Sequence, residues 1–133
     1  MSEENVGLMQ QVYEAWNRGD LEWLLDHIAP DGEFRTAQVF PDTEAAYRGP
    51  EGFTEFWITF REPWTSVLIE VERIEAIGDD QVLALIRFHG SGRQGVEVSL
   101  KLGALMTVEG GMMTRLTNFA DWQAALEAAG LSE

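Results

Sequence analysis

The hydrophobic period of this chain changes once, near Thr65, and that change limits the folds open to it. Before Thr65, apolar residues recur at steps of three and four. After it, they alternate or run continuously between glycine-rich turns. Met9, Val12, Tyr13 and Trp16 share one face of a helix expected over 4–18, with Glu3 and Glu4 at the positive end of its dipole. Gly19 suits a left-handed C-cap, and Asp20 the N-cap of a second, short helix. Leu21, Leu24, Leu25 and Ile28 form the apolar stripe of that helix, which Pro30 and Asp31-Gly32 are expected to end. A strand is predicted from Glu33 to Phe40, then a polar loop from Pro41 to Gly49 in which Tyr47-Arg48 adds a short return strand. Pro50 fits the first position of a third helix, 50–62, whose Phe53, Phe56, Trp57 and Phe60 share a face.

Beyond the switch, strands are predicted at Val67 to Ile77, Gln81 to His89, Val96 to Val108 and Met112 to Asn118. Turn signals separate them at Gly78-Asp79-Asp80, at 90–95 and at Glu109-Gly110-Gly111. Asp121 can cap a closing helix with Trp122, Ala125, Leu126 and Ala129 inward. Helices first, strands next and a helix last is the order of an α+β fold, and the close strand spacing predicts an antiparallel meander. Such a sheet needs helices over one face, and a curved sheet half-closed over helices leaves a concave apolar cavity suited to a small molecule.

The 133 residues make one domain, 1–133, with 45% hydrophobic residues to build its core. A net charge of −14 with scattered Lys and Arg argues against nucleic acid as a partner. Cysteine is absent, so disulfides, a thiolate nucleophile and cysteine metal sites are excluded. No apolar run approaches the roughly 20 residues of a membrane span, and Met1 to Met9 lacks the features of a signal peptide. The expectation is a cytoplasmic protein without membrane contact.

Several stretches resemble the SnoaL-like branch of the nuclear-transport-factor-2-like superfamily, which also contains ketosteroid isomerase. They are Asn5…Val12-Tyr13-Glu14-Ala15-Trp16-Asn17-Arg18-Gly19-Asp20-Leu21, Asp31-Gly32-Glu33-Phe34-Arg35, Tyr47-Arg48-Gly49-Pro50-Glu51-Gly52, Gly78-Asp79-Asp80-Gln81-Val82-Leu83-Ala84 and Ala124-Ala125-Leu126-Glu127-Ala128-Ala129-Gly130-Leu131. The resemblance spans nearly the whole chain in order. It implies a cone-shaped α+β fold, a curved antiparallel sheet wrapped over N-terminal helices and enclosing a pocket. It also implies a homodimer formed through the sheet. It specifies no reaction, because one fold carries many functions.

Ketosteroid isomerases use a carboxylate base and two acidic hydrogen-bond donors. Carried over by the resemblance, the tyrosine donor falls on Val12, one residue from Tyr13; the base falls on Thr36 and the protonated aspartate on Gly103. None of the three groups is present, so this isomerase chemistry is not expected.

Among the remaining titratable groups His89 stands out as a candidate acid–base. Pairing it with Glu97 across the loop Ser91 to Gly95 is one permitted hairpin register. That register puts Val82, Ala84, Ile86, Phe88, Val98, Leu100 and Leu102 on one face and Arg87, His89, Glu97, Ser99 and Lys101 on the other. The polar face is either a functional array, with Glu97 orienting His89, or a solvated or dimer-facing side with cross-strand ion pairs. Alternation sends the even-numbered face toward the helices. The resemblance sends Gly103, which has the parity of His89, toward the cavity. A bulge in 96–108 would reconcile the two.

Arg35 is either a fork for an anionic substrate or a salt-bridge partner of a nearby acid. His27 suits a helix C-terminus better than a ligand role. Two histidines and no cysteine make a metal site unexpected, and no cofactor is implied. The candidate pocket residues are Tyr13, Trp16, Phe34, Phe56, Trp57, Phe60, Arg87, Glu97, Lys101, Gly103 and Phe119. The sequence thus supports a protein that binds a small hydrophobic or amphipathic molecule. It is either a cofactor-independent acid–base enzyme of cyclase, isomerase, dehydratase or hydrolase type, or a non-catalytic ligand-binding or dimerisation module.

Overall fold

The computed structural model describes residues 2–40 and 42–131. Its elements, in order, are α1 (Ser2–Arg18), α2 (Leu21–Asp26), β1 (Ile28–Arg35), β2 (Ala46–Arg48), α3 (Gly49–Arg61), β3 (Trp64–Ile77), β4 (Gln81–Gly92), β5 (Glu97–Glu109), β6 (Met112–Phe119) and α4 (Trp122–Ala128). The strands form one sheet in the order β2-β1-β6-β5-β4-β3. The predicted meander β3 to β6 is antiparallel throughout, and β1 joins it by pairing parallel to β6. The curved sheet wraps over α1 and α3 as a cone.

The first half departs from the sequence reading in one place. The second helix ends at Asp26, and Ile28 begins a strand instead of completing a helical stripe. That strand, expected from Glu33 to Phe40, runs from Ile28 to Arg35. Pro30 lies inside it, where the pairing with β6 is irregular between Ile28 and Glu33 and the missing N–H leaves no gap in the ladder. Met113 N donates to His27 O at 2.8 Å, so β6 captures the chain as soon as α2 stops. Asp20 caps α2 as expected, its carboxylate accepting from Trp23 N at 3.0 Å. Asp121 caps α4 by accepting from Ala124 N at 2.8 Å.

The long strand β3 is a sheet edge, and α1 covers part of it with side-chain amides. Asn17 Nδ2 donates to Ile69 O at 2.9 Å, and Ile69 N donates to Asn17 Oδ1 at 2.7 Å. One asparagine thereby takes the place of a neighbouring strand at that residue, which blunts an open edge. No helix among the described residues is long and apolar enough to cross a membrane.

Register decides which side chains meet. The β4–β5 ladder pairs His89 with Ser99, and Glu97 with Ser91. The expected partner of His89 was Glu97, two residues away, so that pairing is corrected. The turn is tighter than expected: Gly92 N donates to Val96 O at 2.6 Å, and Gln94 and Gly95 adopt positive φ (66° and 80°). A slip of two preserves side-chain parity, so the two faces keep the membership expected of them. Ile86, Phe88 and Leu102 face the helices in the main core. No bulge interrupts the β4–β5 pairing from Gln81–Thr107 to Ser91–Glu97.

Gly103 therefore lies on the outer face. A Cβ built on it would stand 2.3 Å from Ala125 Cβ of α4. A second, smaller core forms there from Leu83, Leu85, Ala125 and Leu126, with Leu105, Phe119 and Trp122 against it.

Candidate functional site

Between the inner face of the sheet and α1 and α3 lies a cavity with about 60 Å³ of room for water-molecule centres. Each wall follows from a local pattern already described. The helical spacing of α1 brings Tyr13 and Trp16, and that of α3 brings Phe56 and Phe60. The even-numbered positions of β4 and β5 bring Ile86, Phe88 and Leu102. Phe34 comes from β1, Ile69 from β3, and Leu116 and Asn118 from β6. Thr36, Ala37 and Phe40 come from the loop after β1.

The aromatic rings support one another. Phe56 stacks on Phe60 with centroids 5.4 Å apart, and Phe34 lies 4.5 Å from Phe56. Trp16 meets Phe60 edge-on at 5.4 Å. Rings in these offset and edge-on arrangements each gain about 0.5–1.5 kcal/mol beyond their buried area. Phe40 closes the wall from the loop, with its ring 4.8 Å from Phe60, 5.0 Å from Phe88 and 6.4 Å from Trp64. The loop itself is clamped at its base. Thr36 N donates to Ala45 O at 3.0 Å, and Thr36 Oγ1 donates to Glu44 O at 2.6 Å. Nearer the tip, Thr43 Oγ1 donates to Phe40 O at 2.9 Å.

Polar groups on this wall are few, and none is charged. Asn118 Nδ2 donates to Arg35 O at 2.9 Å. The third polar group is the Tyr13 phenol, in a side chain only 5% exposed. Burial pushes its pKa well above the ordinary tyrosine value, so the ring stays a neutral hydroxyl at physiological pH. Its hydroxyl meets no hydrogen-bond partner among the described residues. A neutral phenol in an apolar wall can donate a hydrogen bond to a carbonyl or ether oxygen, and it supplies no general base.

The structure divides the expected pocket residues into three groups. Tyr13, Trp16, Phe34, Phe56 and Phe60 are brought together on the cavity wall. Trp57 packs between α1 and α3, 4.7 Å from Trp16, with the Arg61 guanidinium 4.6 Å above its ring. Burial lowers the pKa of that guanidinium.

The remaining residues stand on the opposite side of the sheet. Gly103 and Phe119 belong to the small core under α4. Arg87 Nε pairs with Glu72 at 3.1 Å, and its Cζ lies 5.2 Å from the centre of the Trp122 ring, which Lys101 Nζ also approaches at 5.0 Å. Glu97 is exposed on the same face. His89 Nε2 lies 2.7 Å from Glu70 Oε1, and its Nδ1 lies 3.0 Å from Ser99 Oγ. Arg35 pairs with Glu33 at 3.0 Å, and Glu33 also holds Arg115 at 3.1 Å.

The sequence reading did not assign Thr36, Ala37, Phe40, Ile69, Ile86, Phe88, Leu102, Leu116 and Asn118 to the cavity. For Ile86, Phe88 and Leu102 the signal was present, since strand alternation alone directs the even-numbered face toward the helices. Of the positions carried over from ketosteroid isomerase, Thr36 lines the cavity, while Val12 is buried in the adjoining crevice shared by Trp16 and Phe34. Gly103 lies outside both.

The architecture and the sequence have close counterparts. The SnoaL-like domain profile matches residues 9–116. The uncharacterized protein Rv0034 of Mycobacterium tuberculosis (strain H37Rv) is 30% identical over 128 residues, covering 93% of this chain and 94% of that protein. Among solved structures, TerC co-crystallized with polyporic acid superposes with a TM-score of 0.77 at 19% identity, over 96% of this chain and 98% of its own. An NTF2-like protein of unknown function from Burkholderia pseudomallei K96243 gives 0.77 at 17% identity, over 93% and 95%. A hypothetical protein with a ketosteroid isomerase-like fold from Catenulispora acidiphila DSM 44928, in complex with trimethylamine, gives 0.75 at 16%, over 94% and 93%. With the cone-shaped fold, the cavity between sheet and helices and the matched residues in agreement, the chain belongs to the SnoaL-like family.

Proposed function

We propose that this protein binds a small, uncharged, largely aromatic molecule between the sheet and helices α1 and α3. The observation that carries this reading is the chemistry of the wall. Aromatic and aliphatic side chains surround three neutral polar groups, Tyr13, Thr36 and Asn118. An anionic ligand would leave water for a site with no cation to meet it, at a cost of several kcal/mol. A flat neutral ring loses little and gains ring contacts on every side. Co-crystallization of TerC, a protein of similar fold, with polyporic acid supports small-molecule binding as such.

The acid–base role expected of His89 has no place in this cavity, since His89 is on the far face of the sheet. With a neutral phenol and no carboxylate or imidazole on the wall, binding is the function favoured over proton abstraction.

The test compares 2-naphthol with 2-naphthoate, a pair of similar shape that differs in charge. Quenching of the tryptophan emission, to which Trp16 on the cavity wall contributes, should saturate with the naphthol and require at least tenfold more naphthoate. At 100 times its dissociation constant, the naphthol should stabilise the fold by about 2.7 kcal/mol in thermal melts. Ala37→Phe, which places a ring in the cavity, should abolish the saturation and leave the melt of the free protein nearly unchanged. Equal affinity for both compounds, or binding undisturbed by A37F, would refute the reading.

A further inference from the structure

Beside the first half of α1 runs an open groove, with about 800 Å³ of room for water-molecule centres. Its other walls are His27, just after α2, and the turns that join β3 to β4 and β5 to β6, at Asp79 and at Gly110-Gly111. None of its residues lines the aromatic cavity.

Two hydrogen-bond acceptors in this groove are held in place and have no partner. Asn5 is only 8% exposed, and its Nδ2 donates to Asp79 O at 3.1 Å. A carbonyl only accepts, so this bond sets the orientation of the amide. The Asn5 Oδ1 then meets no donor among the described residues. His27 Nδ1 lies 2.8 Å from Trp23 O, and its ring is stacked on Trp23 with centroids 3.9 Å apart. The neutral ring therefore carries its proton on Nδ1, and Nε2 keeps a lone pair that no described residue meets. A buried acceptor left without a donor costs stability unless something else supplies one. The carboxylates of Glu4 and Asp79 line the same groove, and no Lys or Arg does.

Gly7 points to the same use. It sits inside α1 and lines the groove, at a helical position where glycine is among the poorest choices. A Cβ built on it would meet no atom within 4 Å, so packing does not demand a glycine there. Its effect is to keep the groove open.

We propose that this groove is a second binding site, for an aliphatic primary amine in its ammonium form. An ammonium brings a positive charge and three N–H donors, enough for Asn5 Oδ1 and His27 Nε2 with one left for a carboxylate. Leu8 and Val108 offer apolar surface to the carbon chain. A net charge of −14 raises the local concentration of cations. A metal ion is the poorer fit, because no three His, Asp or Glu side chains cluster as ligands among the described residues.

The experiment is calorimetric titration with 1,4-diaminobutane, 1,4-butanediol and tetramethylammonium, in about 0.15 M salt to screen loose surface attraction. The diol has the chain without the charge, and tetramethylammonium has the charge without N–H donors. The diamine should bind at least tenfold more tightly than either. Gly7→Met places a side chain in the groove at a position open to it, and should weaken the diamine at least tenfold without lowering Tm. His27→Phe keeps a ring to stack on Trp23 and removes the acceptor, and should weaken it at least threefold. Asp79→Asn should weaken it more than Glu14→Gln, which removes the same charge from a position of α1 outside the groove.

Three results would overturn the proposal. Equal affinity for the diol or for tetramethylammonium would mean that charge and donors do not act together. Binding that survives G7M or H27F would place the amine elsewhere. Equal losses in D79N and E14Q would mean that net charge alone attracts it. None of these bears on the naphthol test, which reads a cavity that shares no residue with this groove.

Discussion

The two faces of strand β4 share one backbone and live in different solvents. On the inner face Val82, Ala84, Ile86 and Phe88 are all at most 4% exposed. On the outer face Leu83 and Leu85 are equally buried, at 0% and 5%, while Arg87 and His89 are partly open. The difference comes from α4, a helix of seven residues that covers the first part of the outer face and stops short of the second. Where both faces are covered, the sequence reads as the unbroken apolar run Val82-Leu83-Ala84-Leu85-Ile86. Where α4 ends, it alternates as Arg87-Phe88-His89. The chain therefore records, residue by residue, how far its last helix reaches.

Substitutions that probe this contrast should differ widely in cost. Phe88→Ala, at an inner position 2% exposed and ringed by Phe40, Phe60 and Trp64, should cost about 3–5 kcal/mol in urea unfolding. A loss below about 1 kcal/mol would show that the inner core collapses around the gap. Gly103→Ala tests the covered part of the outer face. Its Cβ meets Ala125 Cβ at 2.3 Å, so α4 must shift, at a cost of about 1–3 kcal/mol. The companion Ala125→Gly in the G103A background should recover part of that loss if the contact is its cause.

Arg87→Ala tests the bare part. Its pair with Glu72 is exposed on both sides, and the change should stay within about 0.2–1 kcal/mol and shrink in high salt. A loss approaching that of F88A would mean the outer face is not solvent-facing in the working protein.

Asp20 offers a pH-dependent reference away from both faces. The backbone hydrogen bond from Trp23, assisted by Arg18, holds its carboxyl below the usual carboxylate range. A folded pKa below the unfolded one gives stability that is complete above the unfolded value, about 3.9, and is lost as pH falls through the folded one. Asp20→Ala should therefore lower Tm at pH 7 by a small amount, and the difference should fade in melts taken at progressively lower pH.

Much of the fold was legible because the signals were local. The helical spacing of Met9, Val12, Tyr13 and Trp16, the caps Asp20 and Asp121, Pro50 at the start of α3 and the turns after Ile77 and Glu109 all act within a few residues of themselves. The boundary that failed, at Ile28, depends on a distant partner. Nothing near Ile28 announces that β6, some 85 residues later, will take the chain into a parallel pair. The same holds for the candidate site. Five aromatic residues on the cavity wall were readable from spacing, but Asn118 and Thr36 reach it only through the β1–β6 pairing.

From the sequence alone came the α+β class, the antiparallel meander, the family resemblance and the apolar character of the inner sheet face. Each rests on period, turn chemistry or residue order, which are properties of neighbouring residues. Tertiary structure alone decided that Gly103 and Phe119 lie beneath α4, that Phe40 closes the cavity, and that His89 meets Glu70 and Ser99 rather than Glu97. Those outcomes turn on strand register and on how far a helix extends over a sheet. A shift of two residues in register keeps every side chain on its face and changes every neighbour it touches.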